Sequence, residues 1–234
     1  MLRFTIGIFY PLAQARIGVS NGVAKDIEKL GRLKENSVRV IYNPIVKDEE
    51  DIEKDFINPW DKSTAKKILT VGNLKIEKNH ELLIRAFAKV KKTINAVLVI
   101  LGEGELRKKM EDLIHELNLS DSVKLPGYVP NPYPWYKNAD LFVLSSNHEG
   151  FGNVIVEALS CGIPVVSTNC PSGPGEILES GKYGILVPVN DSNAMAAAII
   201  KSLNMEHDKV KLENRANDFS TENIGEKYLE LMFG

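Results

Sequence analysis

The sequence predicts an α/β fold built on a doubly wound parallel sheet. Eight short apolar segments alternate with helical patterns along nearly the whole chain. These segments are almost continuously apolar, as strands are when helices cover both faces of a sheet. The chain has 234 residues, enough for one large domain or for one domain and part of another. The predicted strands are residues 16–20, 38–42, 67–72, 96–102, 122–127, 141–145, 164–168 and 184–189.

Amphipathic helices are predicted between and after these strands, where apolar residues recur at three- and four-residue spacing. Gly102 and Gly104 in "LGEGE" do not match a dinucleotide fingerprint and are expected to open one of these helices. In parallel sheets of this kind, ligands bind at the carboxyl ends of the strands. The strand-to-helix loops are therefore the candidate site. The predicted helices are residues 79–92, 104–119, 193–203 and 221–233, with a further helix beginning near Gly152 or Asn153.

Composition and charge exclude several classes of protein. The net charge of −2 gives no electrostatic reason to expect a nucleic-acid partner. No apolar run approaches the roughly 20 residues of a membrane-spanning helix. The first 18 residues lack the features of a signal peptide and are expected to be folded protein. Cys161 and Cys170 make no disulfide framework and fit a reducing cytosol.

Two glutamates flank a glycine-rich loop in "EGFGNVIVEA". Gly150 and Gly152 allow close approach of the backbone to a ligand, and the free amides of the following helix suit a phosphate. Glu157 lies one turn beyond Asn153 on the same helix face, where it can accept hydrogen bonds from two hydroxyls. Glu149 precedes the helix and faces another part of the ligand. This arrangement suits a nucleotide-sugar, although the spacing alone also fits two solvated charges.

A second loop, "STNCPSGPGEIL", is rich in glycine and proline at the end of the next strand. Glu176 in this loop is expected to open another helix. A turn this rigid is expected to hold something in place, the alternative being a plain tight connection.

The segment "EGFGNVIVEALSCGIPVVST" resembles the signature of the retaining GT-B glycosyltransferases of the family 4 type, in which seven residues separate two glutamates. Glu149 and Glu157 match these positions. "NCPSGPGEIL" resembles the subgroup that acts on capsule, lipopolysaccharide and polyprenol-linked sugars. The likeness also includes "ILTVGNLKIEKNHELLIRAFAKV" and "LPGYVPNPYPWYKNADLFVLSS" and covers residues 64 to 232. It implies the carboxyl-terminal, donor-binding half of a GT-B enzyme.

The resemblance implies a role for each matching residue of the glycine-rich loop. Glu157 would bind the ribose hydroxyls, and Glu149 would contact the donor sugar near the anomeric centre as a catalytic residue. The backbone of the loop and of the helix start would hold sugar and phosphate oxygens. These donor-binding positions are Gly150, Phe151, Gly152, Asn153 and Val154.

Outside this loop, the resemblance implies that Lys78 neutralises the diphosphate as a catalytic cation, so that no metal ion or other cofactor is needed. Gly72 would approach the diphosphate closely, and the backbone at Tyr128 would border the base. The family usually has an arginine where this chain has Asn73. Lys75 is either a substitute without a bidentate grip or a solvated loop lysine. The histidines and cysteines also lack metal-ligand spacing.

The resemblance also divides the chain and implies its partners. The partners would be a nucleotide-sugar donor, with UDP preferred over GDP, and a glycan or lipid-linked acceptor. An amino-terminal half or a second copy would complete the enzyme, which would be cytoplasmic or peripheral at the inner face of the membrane. We expect little or no transfer by this chain alone. The expected divisions are a remnant of the acceptor domain (1–43), a linker (44–66), the donor domain (67–205) and a helical segment (206–234).

Two other functions are compatible with these residues. A nucleotide-sugar epimerase would share the GT-B architecture, and separated products in an incubation with donor alone would reveal it. A non-catalytic nucleotide-sugar binding module is the second alternative, because residues 1–43 contain little of an acceptor domain.

Overall fold

A computed structural model describes residues 2–46, 60 and 64–233. Its strands form two separate parallel sheets, one of two strands and one of six. Each of the predicted strands coincides with one of these, so the predicted doubly wound parallel sheet is confirmed. The strands are β1 Ile17–Gly18, β2 Arg39–Val40, β3 Lys66–Val71, β4 Ala96–Leu101, β5 Val123–Gly127, β6 Leu141–Leu144, β7 Val165–Thr168 and β8 Ile185–Val187.

The helices follow the predicted apolar periodicity. The helices predicted at 79–92, 104–119, 193–203 and 221–233 are all present, with ends shifted by up to three residues, as is the helix expected from Gly152 or Asn153. The helices are α1 Leu2–Phe9, α2 Asn21–Gly31, α3 His80–Val90, α4 Arg107–Glu116, α5 Tyr133–Lys137, α6 Asn153–Ser160, α7 Pro174–Ile177, α8 Ser192–Leu203, α9 Lys209–Asn217 and α10 Thr221–Phe233.

The large sheet has an apolar cluster on each face. On one face, Ile68 of β3 packs with residues of α3, α4 and α8. On the other face, the next residue, Leu69, packs with residues of α5, α6 and α9. Both side chains are fully buried. Burying such a side chain stabilises the fold by about 1.5–3 kcal/mol. Since helices cover both faces, the strands need apolar residues at successive positions, which explains their continuous apolar runs.

The strand order places a crevice in the middle of the large sheet. The order is β5-β4-β3-β6-β7-β8, with β3 and β6 paired through Ile68↔Leu141 and Leu69↔Phe142. The chain runs outwards from β3 through β4 and β5 on one side, and from β6 through β7 and β8 on the other. The carboxyl ends of β3 and β6 therefore form a topological switch point, where open α/β sheets bind their ligands.

Gly102 and Gly104 serve a different purpose from the predicted one. Helix α4 begins only at Arg107, so the expectation that these glycines open it is wrong. A Cβ atom on Gly102 would lie 2.1 Å from the carbonyl oxygen of Gly72, and one on Gly104 would lie 2.5 Å from the carbonyl oxygen of Leu74. The two glycines are needed because the loops after β3 and β4 pack backbone to backbone.

We call residues 2–46 the amino-terminal unit. It consists of α1 and the strand–helix–strand sequence β1–α2–β2, in which the two strands pair in parallel. A parallel bridge between Val46 and Ser220 connects it to the start of α10. Most of the predicted linker 44–66 lies outside the described residues, and the division into domains remains a prediction. Within the described ranges, no helix is both long and apolar enough to cross a membrane.

Candidate functional site

An ion pair spans the switch point between β3 and β6. Lys78, at the end of the short 3₁₀ helix Ile76–Lys78 after β3, places its Nζ 2.6 Å from Oε1 of Glu149, in the loop after β6. The hydroxyl of Ser146 donates to the same oxygen at 2.6 Å. The Glu149 side chain is only 9% exposed, so solvent screens this pair less than a surface pair. The two predicted catalytic residues are therefore in direct contact, although 71 positions separate them in the sequence.

Asn79 fixes the loop that carries Lys78. Its backbone is left-handed (φ 44°, ψ 47°), and its amide donates to the side-chain oxygens of Asn147 at 2.9 Å and of Asn190 at 3.0 Å. The Ser145 hydroxyl donates to the carbonyl oxygen of Lys78 at 2.9 Å. Asn79 thus links the loops after β3, β6 and β8. Asn79 was not among the predicted site residues, although an asparagine before an amphipathic helix is a typical N-cap.

The glycine-rich loop ends at an uncapped helix. Gly152 is the N-cap residue of α6, with φ at 103°, and no side chain caps this helix end. Only glycine adopts this φ readily. The first amides of α6, those of Asn153 and Val154, have no partner within the helix because of their position. These amides lie where the sequence predicted an anion site, a few residues beyond Glu149.

The ring of Phe151 is buried against other aromatic rings and is not available to a ligand. The side chain is 3% exposed and stacks on Tyr42 with ring centroids 5.2 Å apart. It also makes an edge contact with Phe219 at 5.4 Å. Gly173 passes so close that a Cβ there would lie 1.7 Å from the carbonyl oxygen of Phe151. The aromatic contacts anchor the loop, and the role expected of the Phe151 backbone stays a prediction.

Glu157 lies on α6 and is oriented by a tyrosine. The hydroxyl of Tyr136, on α5, donates to Oε2 of Glu157 at 2.9 Å. Tyr136 is fully buried, and its burial, together with the charge of Glu157, raises its pKa well above the usual value for tyrosine. Burial and the same charge raise the pKa of Tyr133 to about 12. Both tyrosines therefore stay protonated at neutral pH. Tyr136 was not among the site residues predicted from the sequence, although a buried tyrosine hydroxyl usually needs a partner.

The remaining predicted residues lie along the same edge of the sheet. Gly72 lies against the side chain of Lys78, with its carbonyl oxygen 3.3 Å from Nε2 of His80. Asn73 and Lys75 are exposed in the loop after β3. Tyr128 is 72% exposed immediately after β5. Lys78, Glu149 and the start of α6 are thus grouped around the switch point, whereas these exposed residues border it.

Glu176 holds the amino-terminal unit. The helix expected at Glu176 is present as α7, with Glu176 as the third residue of its first turn. Oε2 of Glu176 accepts hydrogen bonds from the backbone amide of Asn21 at 2.9 Å, from the side-chain amide of Asn21 at 2.6 Å and from the hydroxyl of Tyr42 at 3.2 Å. The rigid "PSGPGEIL" turn therefore holds the start of α2 in place.

Comparison with known proteins identifies the family. Residues 51–219 match the family described as Glycosyl transferases group 1, so the chain belongs to this family. It is similar to the Campylobacter jejuni N-acetylgalactosamine-N,N'-diacetylbacillosaminyl-diphospho-undecaprenol 4-alpha-N-acetylgalactosaminyltransferase, with 35% identity over 238 residues. It is also 30% identical over 222 residues to LpsE of Rhizobium meliloti, a lipopolysaccharide core biosynthesis glycosyltransferase.

The fold matches that of solved GT-B glycosyltransferases. A variant of Staphylococcus aureus TarM, solved with fondaparinux, α-GlcNAc-glycerol and UDP, superimposes with a TM-score of 0.82 at 26% identity. The match covers 100% of this chain and 46% of TarM. The matches to the Campylobacter enzyme and to LpsE cover 99% and 90% of this chain and 63% and 62% of those proteins. The chain thus spans less than two thirds of the length of these relatives.

Proposed function

We propose that this chain provides the donor half of a retaining glycosyltransferase and binds a nucleoside-diphosphate sugar at the switch point. The observation that carries the proposal is the convergence of a cation, an uncapped helix start and two carboxylates at one edge of the sheet. Lys78 and Glu149 meet at 2.6 Å, and the uncapped helix α6 also carries Glu157. Together these groups offer complementary contacts to a diphosphate and to sugar hydroxyls.

Each part of the donor has a proposed partner. Glu157, held by Tyr136, accepts hydrogen bonds from the ribose hydroxyls. Lys78 and the first amides of α6 balance the roughly two negative charges of the diphosphate. Glu149 contacts the transferred sugar near its anomeric carbon. The base lies beside the loop after β5, at Tyr128.

The proposed reaction is a direct exchange at the anomeric carbon. The bond from this carbon to the β-phosphate oxygen breaks as a bond to the acceptor oxygen forms on the same face of the sugar. The acceptor hydroxyl proton passes to the departing phosphate oxygen, and the electron pair of the broken bond stays on the diphosphate. Lys78 and the amides of α6 stabilise the charge that develops there, which is an electrostatic contribution preorganised by the fold.

The comparisons support a choice of donor and acceptor. We propose UDP-hexose or UDP-N-acetylhexosamine as the donor, because the TarM structure contains UDP, and GDP-mannose as the second choice. The name of the Campylobacter relative specifies an undecaprenol-linked saccharide, so we propose a lipid-linked glycan as the acceptor. Binding is proposed to need no divalent metal, because Lys78 and the helix amides supply the counter-charge.

Glu157→Ala is expected to weaken UDP binding by about 1.5–3 kcal/mol, the usual cost of losing hydrogen bonds to a charged group. Titration calorimetry of the parent and the variant with UDP and with GDP measures this and identifies the base. Glu116→Ala, at an exposed position on α4, is the matched control and should bind as the parent does. Equal UDP affinity in the parent and in Glu157→Ala contradicts the assignment.

Transfer is tested with labelled UDP-sugar and undecaprenol-linked saccharides, with and without an added amino-terminal half from a relative. A labelled lipid product whose anomeric configuration matches that of the donor supports a retaining transferase. Label in a second nucleotide-sugar, formed without acceptor, would instead indicate the epimerase. Tight donor binding with no product in any mixture would indicate the binding module.

A further inference from the structure

We propose that the amino-terminal unit sets the shape of the donor loop, and that Ser20 and Asn43 are positioning residues for residues 150–153. This inference rests on the proposed donor site, because it concerns the loop that leads to the diphosphate-binding amides of α6. It adds a dependence of donor affinity on residues that lie more than 100 positions earlier in the chain.

Ser20 holds the first residue of this loop. It is fully buried at the end of β1, and its hydroxyl donates to the carbonyl oxygen of Gly150 at 2.7 Å. The same oxygen accepts the amide of Val23 at 3.1 Å and thereby caps α2. The hydroxyl is therefore fixed by two hydrogen bonds. It accepts one from the first turn of α2 and donates the other to the loop.

Tyr42 and Asn43, which follow β2, hold the rest of the loop. The ring of Tyr42 stacks on Phe151, and the side-chain amide of Asn43 donates to Oδ1 of Asn153 at 2.9 Å. Gly150, Phe151 and Asn153 are thus each held by the amino-terminal unit.

The loop needs such support because of its own composition. A Cβ atom on Gly150 would meet nothing within 4 Å, so its immediate surroundings do not restrict its backbone. Gly152 is held at φ 103°, and glycine can leave this conformation easily. Contacts from outside the loop reduce this freedom before the ligand arrives. Such preorganisation lowers the entropic cost of binding.

The amino-terminal unit is itself held against α7 and the turn that precedes it. The Glu176 carboxylate lies at the start of α2, where a negative charge is favourable for the helix dipole, and accepts the amide of Asn21 at 2.9 Å. A Cβ atom on Gly22 would lie 1.9 Å from the hydroxyl oxygen of Ser172, so the turn before α7 and the first turn of α2 are in close contact. This seat gives Ser20 and Asn43 a fixed position relative to the donor loop.

Donor affinity has two parts, contacts to the ribose and base and contacts to the diphosphate, and only the second should depend on Ser20 and Asn43. Contacts to the ribose and base depend on Glu157 and on the loop after β5, which these residues do not touch. Contacts to the diphosphate depend on the loop and on the amides that follow it. Disturbing Ser20 or Asn43 should therefore reduce affinity for UDP without reducing affinity for uridine.

The test compares Ser20→Ala and Asn43→Ala with the parent, measuring the dissociation constants of UDP and uridine by displacement of a fluorescent UDP analogue. Each variant should lose about 3- to 10-fold in the ratio of UDP affinity to uridine affinity, as expected from one hydrogen bond. Glu28→Ala is the matched control, because Glu28 accepts the amide of Val38 at 3.0 Å within the amino-terminal unit and away from the loop. Glu28→Ala should lower the free energy of unfolding but leave the ratio of UDP affinity to uridine affinity as in the parent.

The outcomes distinguish this inference from the function on which it rests. A parent chain that binds neither UDP nor GDP overturns the proposed function and the inference together. A parent that binds UDP, with unchanged ratios in both variants, overturns the inference alone. If loss of the α2 cap prevents Ser20→Ala from folding, Asn43→Ala decides the question, because its hydrogen bond lies at the exposed surface.

Discussion

At the scale of single residues, the site is organised around a pair of opposite charges. Glu149 neutralises Lys78 at 2.6 Å, and the same carboxylate oxygen accepts a hydrogen bond from Ser146. A bound diphosphate would lie beside both members of this pair, so Lys78 would attract it and Glu149 would repel it. The proposed site therefore implies that the carboxylate lowers affinity for the diphosphate alone and that its benefit comes from contact with the intact donor.

Glu149→Gln should therefore bind UDP about 2- to 5-fold more tightly than the parent, because one negative charge is removed next to Lys78. Affinity for the intact UDP-sugar should not improve, since the proposed contact with the sugar is weakened. Calorimetry with both ligands measures the difference. Glu116→Gln, which removes an exposed charge on α4, controls for net charge. Tighter binding of both ligands to the same degree would show that Glu149 makes no contact with the sugar.

At the scale of elements, the ends of three strands are connected by side chains. Asn79 bridges the loops after β3, β6 and β8, and α3 starts directly after it. His80, the first residue of this helix, lies 4% exposed beneath the site and bonds to the carbonyl oxygen of Gly72. The position of Lys78 is thus determined by the residues that follow it.

Asn79→Gly should lower the free energy of unfolding by about 1–3 kcal/mol through the loss of its hydrogen bonds. Asn79→Ala should cost about 1 kcal/mol more, since alanine is strained at its positive φ. The exposed Asn118, also left-handed at φ 55°, is the matched control. Asn118→Ala should lower the free energy of unfolding through backbone strain alone, and Asn118→Gly should leave it almost unchanged. Urea unfolding checks both pairs, and equal costs at the two sites would mean that the bridging bonds contribute nothing.

His80 should make the fold sensitive to acid. Burial lowers its pKa from 6.5 to about 4, so the folded chain keeps it neutral where the unfolded chain takes up a proton. Its contribution to the free energy of unfolding is fully present above pH 6.5. This contribution, about 3 kcal/mol in total, is lost as pH falls towards 4. His80→Gln should lose less stability than the parent between pH 7 and pH 4.5 in urea unfolding. Parallel losses in the two proteins would show that His80 titrates normally.

At the scale of the whole molecule, the proposed donor site lies between parts of the chain that are far apart in sequence. The six-stranded sheet supplies Lys78 and Glu149, and the amino-terminal unit supports the loop after β6. A ligand bound there should stabilise the folded chain as a unit, because binding favours the folded state over the unfolded one.

UDP at 100 times its dissociation constant should stabilise the chain by about 2.7 kcal/mol and raise Tm by about 5–10 °C. The shift should persist in the presence of a chelator, because Lys78 and the helix amides are proposed to supply the counter-charge. Scanning calorimetry with UDP, with uridine and with UDP plus chelator measures this. A shift that disappears on chelation would show that a metal ion takes part in binding.

Local patterns in the sequence were sufficient to predict the strands, most of the helices and the two glutamates around the glycine-rich loop. These features depend on residues close together in the chain, since apolar periodicity, helix starts and glycine-rich turns each fall within a few residues. The resemblance of the motifs to a known family added Lys78, which no local pattern singles out. The misassignment of Gly102 and Gly104 shows the limit, because their neighbours belong to another loop.

Only the tertiary structure decided which of these residues meet. Lys78 and Glu149 meet although they are 71 positions apart. Tyr136 bonds to Glu157 across 21 positions, and Glu176 holds the start of α2 across 155. Such contacts depend on the order of strands in the sheet, which the hydrophobic pattern of each strand does not specify. Ser20 satisfies the local rule for a helix cap, and its second bond, to Gly150, exists only because packing of the two units places the donor loop beside it.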